Sequence, residues 1–411
     1  MNSERLKQSR TVFIMFCLWT FVVLCRPQDI IPTLKPLRPA LVTGIMTLWV
    51  VALHIRELQC PLFFQERQVK YYTTLLLIMI IGIPTSLYAR QSFMIIFTEY
   101  INVIIFFYIF YKVVDSVEKL STVLLLGCLG NGLYSAFSLT KGSLDTGRLS
   151  FGTMFDPNDL AYFALGFLPL NLLFISRDNP LWCRLACLVS FGIGSLLILL
   201  TGSRGGLLGF VLAAALLVFL KTKTIGFSLK AFFVVLCLAI ISFSSINTER
   251  FMTLSSIEDD YNVQSETGRL SIWKFGVKTM LENPLTGVGV GCFPKAVGLD
   301  RQARGADTLK WQAPHSSLVQ IGTETGIFGF FFFSLMSFNV IRMFRKIIRF
   351  SLNKKLVKIS EMGLAGFAGL FVSGLFLSQA YSFYWALYIA MSASVSQMLA
   401  RESISTAEIG G

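Results

Sequence analysis

Four residues carry groups that could do chemistry together: Arg148 in DTGRLSFGTMFDPNDLA, Arg204 in TGSRGG, Arg269 in ETGRLSIW and His315 in WQAPHSSLVQIGTETGIFGF. All four stand at the ends of helical or apolar runs. A guanidinium stays charged at every relevant pH, and its planar fork of donors matches phosphate oxygens. An imidazole titrates near neutrality and can take a proton from a hydroxyl. Three anion-holding groups beside one base would suit transfer of a group away from a phosphorylated donor. Each residue also has a plainer reading. Arg148 can cap a loop or pair with Asp145 or Asp156, and Arg204 can snorkel to lipid headgroups. Arg269 can be an ordinary first-turn residue, and His315 a helix-start residue satisfied by water. Arg204 is the most informative, because Gly202, Gly205 and Gly206 let another group come close to the backbone. The amides that open the following helix add a positive dipole end, a natural anion site.

The elements that must position these groups are membrane helices. The chain has 411 residues, 54% hydrophobic and only 14% charged, with mean hydropathy +0.66; soluble proteins carry about 25% charge. A spanning helix needs ~20 mostly apolar residues. About twelve runs qualify, over 9–25, 39–55, 71–89, 91–113, 120–139, 160–176, 182–200, 205–220, 229–246, 316–341, 361–378 and 383–400. They are continuous rather than alternating, so the expected fold is an all-α polytopic bundle and not a barrel. The first run follows Arg5, Lys7 and Arg10 but lacks a small-residue cleavage site, and reads as a retained helix. The expected organisation is helices one to nine over 1–246, a large outer loop over 247–314, and helices ten to twelve over 315–411.

Charge placement gives the orientation. With the N-terminus inside, the inner segments hold 21 of the 36 Lys and Arg and the short outer loops hold 7. That is the positive-inside pattern. It places all four candidate residues outside. The net charge of +13 is therefore topological, and the basic run Arg342–Lys358 reads as a headgroup anchor rather than a nucleic-acid patch. Eight cysteines form no disulfide framework and no zinc spacing.

Within the long loop, GRLSIWKFGVKTMLEN (268–283) places apolar residues at 270, 273, 277, 280 and 281. It predicts an amphipathic helix lying on the bundle or on the membrane surface. GVGVGCF (287–293) reads as a flexible turn; it breaks the dinucleotide pattern and follows a helix. The acidic run IEDD (257–260) reads as a solvated loop, and His54 as an interface residue. Glu99 and Glu324 are carboxylates within spans and hence functional suspects; pairing with an arginine is expected for Glu324.

With these residues in view, the chain resembles the O-antigen ligase family, whose domain is shared with Wzy-type polymerases. His315, Ser316, Gly326 and Gly329 satisfy the ligase signature at each fixed position, and TGSRGG, GRLSFGTMFDPNDLA and GRLSIWKFGVKTMLENPLTGVGVG are similar to blocks of the family. One position departs: ligases tend to have Leu four residues after the arginine, and here Arg269 is followed by Trp273. The resemblance implies a GT-C-type glycosyltransferase of the bacterial inner membrane, working on its periplasmic face without metal or other cofactor. It implies undecaprenyl diphosphate as glycan carrier. The acceptor would be lipid A–core oligosaccharide in a ligase, or another lipid-linked repeat unit in a polymerase. Combined with the residue reading, it makes His315 the catalytic base and Arg204, Arg269 and Arg148 the donor-diphosphate ligands. Two other classes fit the composition: a transporter or flippase for an anionic solute, and a non-catalytic assembly subunit. The first would spread ionisable groups through the bundle to the midplane, whereas here they gather on one face.

Overall fold

The apolar runs fold as the sequence requires, because backbone amides and carbonyls in a lipid environment must be satisfied within each segment. The computed structural model describes residues 2–54, 65–145, 147–152, 156–219, 268–305 and 311–410. The ninth apolar run, the IEDD segment and the first part of the long loop lie outside these residues. In chain order the helices are α1 (Asn2–Cys25), α2 (Pro39–Leu53), α3 (Arg67–Ile81), α4 (Ala89–Val113) and α5 (Val117–Lys141). Then come α6 (Pro157–Leu165), α7 (Leu181–Leu200), α8 (Arg204–Phe219), α9 (Arg269–Glu282), α10 (Phe293–Ala303), α11 (Ser317–Phe350), α12 (Lys354–Gly374) and α13 (Phe383–Gly410). A two-stranded antiparallel hairpin, β1 (Ser143–Asp145) and β2 (Arg148–Ser150), stands between α5 and α6. Among the described residues, seven helical segments are long and apolar enough to cross a membrane. The run expected over 160–176 is broken, with helix over Pro157–Leu165 and Leu168–Asn171.

Helix contacts rest on small residues, as expected where lipid removes any hydrophobic drive between helices. α8 and α12 meet backbone to backbone: a Cβ added at Gly209 would stand 2.4 Å from the Gly369 carbonyl oxygen. Aromatic side chains fill the wider gaps. Tyr72 packs edge-on to Phe107, and Phe106 lies against Phe16 within the same buried cluster, with the partly buried Phe383 packed on it.

α11 is broken at Gly326, whose backbone (φ 73, ψ −172) is one that a side chain rarely tolerates. The residues GVGVGCF, expected as a flexible turn, are instead held against this break. Val288 N donates to the Thr323 carbonyl at 2.9 Å and Gly289 N to the Glu324 carbonyl at 3.1 Å. Ser92 Oγ donates to the Val290 carbonyl at 2.9 Å. The glycines are needed for close approach, and the ladder makes the segment ordered.

Glu324 shows why. Among the described residues no arginine pairs with it. The buried carboxylate accepts from Gly291 N at 2.9 Å, Phe293 N at 3.3 Å and Tyr381 Oη at 2.5 Å. The loop's amides and the opening of α10 supply positive partial charge to it. Glu99, the other suspect, is exposed on the π-helical turn Ile95–Tyr100 of α4.

α9 forms as predicted, and the face it packs against the protein is not its apolar stripe. Ile272, Gly276 and Thr279 pack inward, with Thr323 Oγ1 of α11 donating to the Gly276 carbonyl at 2.9 Å. Leu270, Val277 and Leu281 of the expected apolar stripe are exposed. The contact with α11 needs a small residue for close approach, so Gly276 rather than hydrophobicity selects the face.

Candidate active site

The segment Phe376–Ala380, between α12 and α13, touches the elements that carry the candidate residues. α11 opens at Ser316, whose hydroxyl accepts from Val319 N at 3.5 Å. His315 just before it has φ 47, a left-handed backbone rare outside glycine. Its amide donates to Ser378 Oγ at 2.9 Å. Ser317 Oγ donates to the Leu377 carbonyl at 2.9 Å and accepts from Gln379 N at 3.2 Å; Ala380 N donates to Gln320 Oε1 at 3.1 Å. These bonds hold a conformation that costs ~1–3 kcal/mol for a non-glycine residue.

Arg269 begins α9, with Gly268 at the cap. One turn later, Trp273 Nε1 donates to the Pro314 carbonyl at 2.9 Å, and its ring lies 6.1 Å from Phe376. Trp273, which marked a departure from the ligase pattern, thus joins the Arg269 helix to the His315 turn. Arg204 begins α8 after a tight turn in which Gly202 has φ 56. Ser203 Oγ caps the helix, accepting from Gly206 N at 3.2 Å. A Cβ at Gly205 would stand 3.0 Å from Phe376 Cβ, so the same loop abuts the Arg204 turn.

Arg148 reaches the site from the hairpin and is committed to protein acceptors. Nε donates to the Thr201 carbonyl at 2.9 Å and Nη2 to Asn158 Oδ1 at 2.7 Å. It ties the turn before Arg204 to the start of α6. Asp156 caps α6, accepting from Asn158 N at 2.7 Å and Asp159 N at 2.8 Å. Asp159 Oδ1 accepts from Gln379 Nε2 at 2.8 Å, which closes the circuit back to the loop under His315.

Electrostatics follow from this packing. Burial lowers the His315 pKa below its ordinary 6.5, and the Arg269 guanidinium lowers it further; Asp156 opposes them. Burial and Arg269 thus favour the neutral imidazole, the form a base needs. Asp159, ahead of its apolar run, is pushed up to about 6, mainly by burial and then by the neighbouring Asp156 charge; the Gln379 bond acts the other way.

His315 and Arg269 are thus within electrostatic reach of each other, while Arg204 and Arg148 adjoin through the shared loop and the α6 cap. Asp159, Ser378 and Gln379 escaped the sequence reading, while Asp156 stood there only as a partner for Arg148 and Trp273 only as a departure from the ligase pattern. Their signal was slight, a Ser-Gln pair closing an apolar run and an Asp-Pro-Asn-Asp helix start. Among the described residues no three His, Cys, Asp or Glu side chains are grouped as a metal site would require.

A family model described as O-antigen ligase (Wzy_C) matches residues 189–334. Residues 189–334 thus carry an O-antigen ligase family domain. No curated protein matches the chain. The O-antigen ligase match contains Arg204, Arg269, Trp273 and His315 and leaves Arg148 outside it. Ligases and polymerases of the family are glycosyltransferase-like enzymes, which gives the chain the general role of joining a lipid-linked glycan to an acceptor.

Proposed function

We propose that the protein is an O-antigen ligase of the bacterial inner membrane, transferring a glycan from undecaprenyl diphosphate to a hydroxyl of lipid A–core on the periplasmic face. The observation that carries this is the loop Phe376–Ala380, which gathers the His315 turn, the Trp273 face of α9, the Arg204 turn and the α6 cap. Neutral His315 takes the proton of the acceptor hydroxyl as its oxygen attacks the anomeric carbon. The bond from that carbon to the phosphate oxygen breaks, and undecaprenyl diphosphate leaves with the electron pair. Attack opposite the diphosphate inverts the anomeric centre. Arg204 and Arg269 stabilise the charge growing on the leaving phosphate, which requires no divalent cation when guanidinium groups are so placed. Arg148, with two nitrogens engaged, sets the Arg204 turn and adds positive potential.

Purified protein carrying His315→Ala should still bind donor lipid but lose transfer by roughly 10²–10⁴-fold, the contribution of a general base. Transfer at the wild-type rate would remove the base role. Arg204→Lys should lose ~10²-fold or more, since an ammonium lacks the fork.

A second reading, polymerase with a lipid-linked repeat unit as acceptor, draws on Trp273. A bulky residue stands beside the His315 turn where ligases tend to have Leu.

A further inference from the structure

A cavity of about 400 Å³ lies between α1, α2 and α4. It shares a face with the candidate site but none of the catalytic candidates lines it. The connection from Arg26 to Arg38 forms its upper rim. Asp29 in that connection accepts from Tyr134 Oη at 3.4 Å, and Gly152 of the loop after β2 sits against the same two residues. The rim is therefore beside the hairpin that carries Arg148.

The lining divides by chemistry. Lys35, Arg38 and Gln28 form the rim, while Trp19, Leu41 and Ile45 form the apolar depth. Lys35 and Arg38 make no side-chain hydrogen bond or ion pair among the described residues. Gln28 Oε1 is buried with no donor. Arg38 also has a left-handed backbone, φ 43, a property it shares among non-glycine described residues with Arg26 and His315. Leu41 and Ile45 are 41% and 56% exposed, so the cavity opens where α2 faces lipid. The span containing α2 is the least buried of the seven, at 17%.

Two unpaired cations above an apolar slot that opens sideways to the bilayer complement an anionic lipid. The unpartnered carbonyl asks for a hydroxyl donor as well. A zwitterionic headgroup would bring its own cation against Lys35 and Arg38. We propose that this cavity binds one anionic phospholipid with a hydroxylated headgroup, of the phosphatidylglycerol type. Lys35 and Arg38 hold its phosphate, the headgroup hydroxyl donates to Gln28 Oε1, and the first methylenes lie against Trp19, Leu41 and Ile45. The volume falls in the range of ligand sites, ~300–1,000 Å³, and admits a headgroup while the remaining chains run along α2 in the bilayer. The site is independent of the transfer reaction, because it needs only that these helices are embedded in lipid.

The test is native mass spectrometry on the full-length protein, delipidated in detergent and titrated with phosphatidylglycerol or phosphatidylcholine of equal chain length. Wild type should retain one phosphatidylglycerol in preference to phosphatidylcholine. Lys35→Ala with Arg38→Ala should weaken that retention by about tenfold or more, given two lost charge-assisted contacts. Leu41→Trp, which fills the slot and leaves the charges, should do the same. Gel filtration and the thermal midpoint show whether each variant is folded, and Lys35→Gln with Arg38→Gln replaces the alanine pair if that one is not. Equal retention of the two lipids, or undiminished retention in the folded charge variants, would overturn the proposal. So would mole-for-mole displacement of phosphatidylglycerol by undecaprenyl diphosphate, which would make the cavity part of the carrier's route.

Discussion

At His315 burial and the Arg269 charge pull one way and the Asp156 charge the other. The sign can be tested at one atom. Asp156→Asn keeps a residue that caps α6 well and removes a charge that opposes burial and Arg269 at the imidazole. The folded His315 pKa should then fall further, and the acid limb of the pH profile of kcat/KM should move to lower pH. A base works only when neutral, so the limb tracks its pKa directly. An acid limb that stays in place, or moves up, would show that another group limits the rate.

At the scale of elements, the site depends on how α9 meets the turn before α11. Trp273→Phe keeps the ring against Phe376 and removes the bond to the Pro314 carbonyl. Such a bond is worth ~0.5–1.5 kcal/mol net. Transfer should fall by a few-fold with donor affinity unchanged, and a single-turnover measurement separates the two. The break in α11 is the second such element. Gly326→Ala would put a Cβ 2.4 Å from the Pro284 carbonyl oxygen on a left-handed backbone. Its cost, of order 1–3 kcal/mol or more, should appear as a lower thermal midpoint in detergent. An unchanged midpoint would mean that the ladder to residues 284–291 can reform around a side chain.

For the whole molecule, the outcome to settle is which acceptor the candidate site serves. Deleting the gene should leave full-length glycan stranded on the carrier if the protein is a ligase, and single repeat units if it is a polymerase. Solute uptake into sealed vesicles with no glycan transfer would instead favour a transporter. The arrangement of charge argues for the enzyme. Glu324, the buried carboxylate of α11, is satisfied by Tyr381 and two amides, and Glu99 is on an exposed turn of α4.

Hydropathy alone determined that this chain is a helical membrane protein, because an apolar run of sufficient length has one stable solution in lipid. Residue chemistry and spacing offered Arg148, Arg204, Arg269 and His315 as a candidate site and gave the resemblance to the family, since signature residues are local in the chain. Three things needed the tertiary structure. The loop Phe376–Ala380 lies about sixty residues beyond His315 and carries no motif, so its role follows only from the hydrogen bonds that its neighbours make. The buried face of α9 is set by how closely Gly276 lets α11 approach, which periodicity does not record. The partners of Glu324 are backbone amides, and every residue but proline has one; only the fold decides which of them point at the carboxylate.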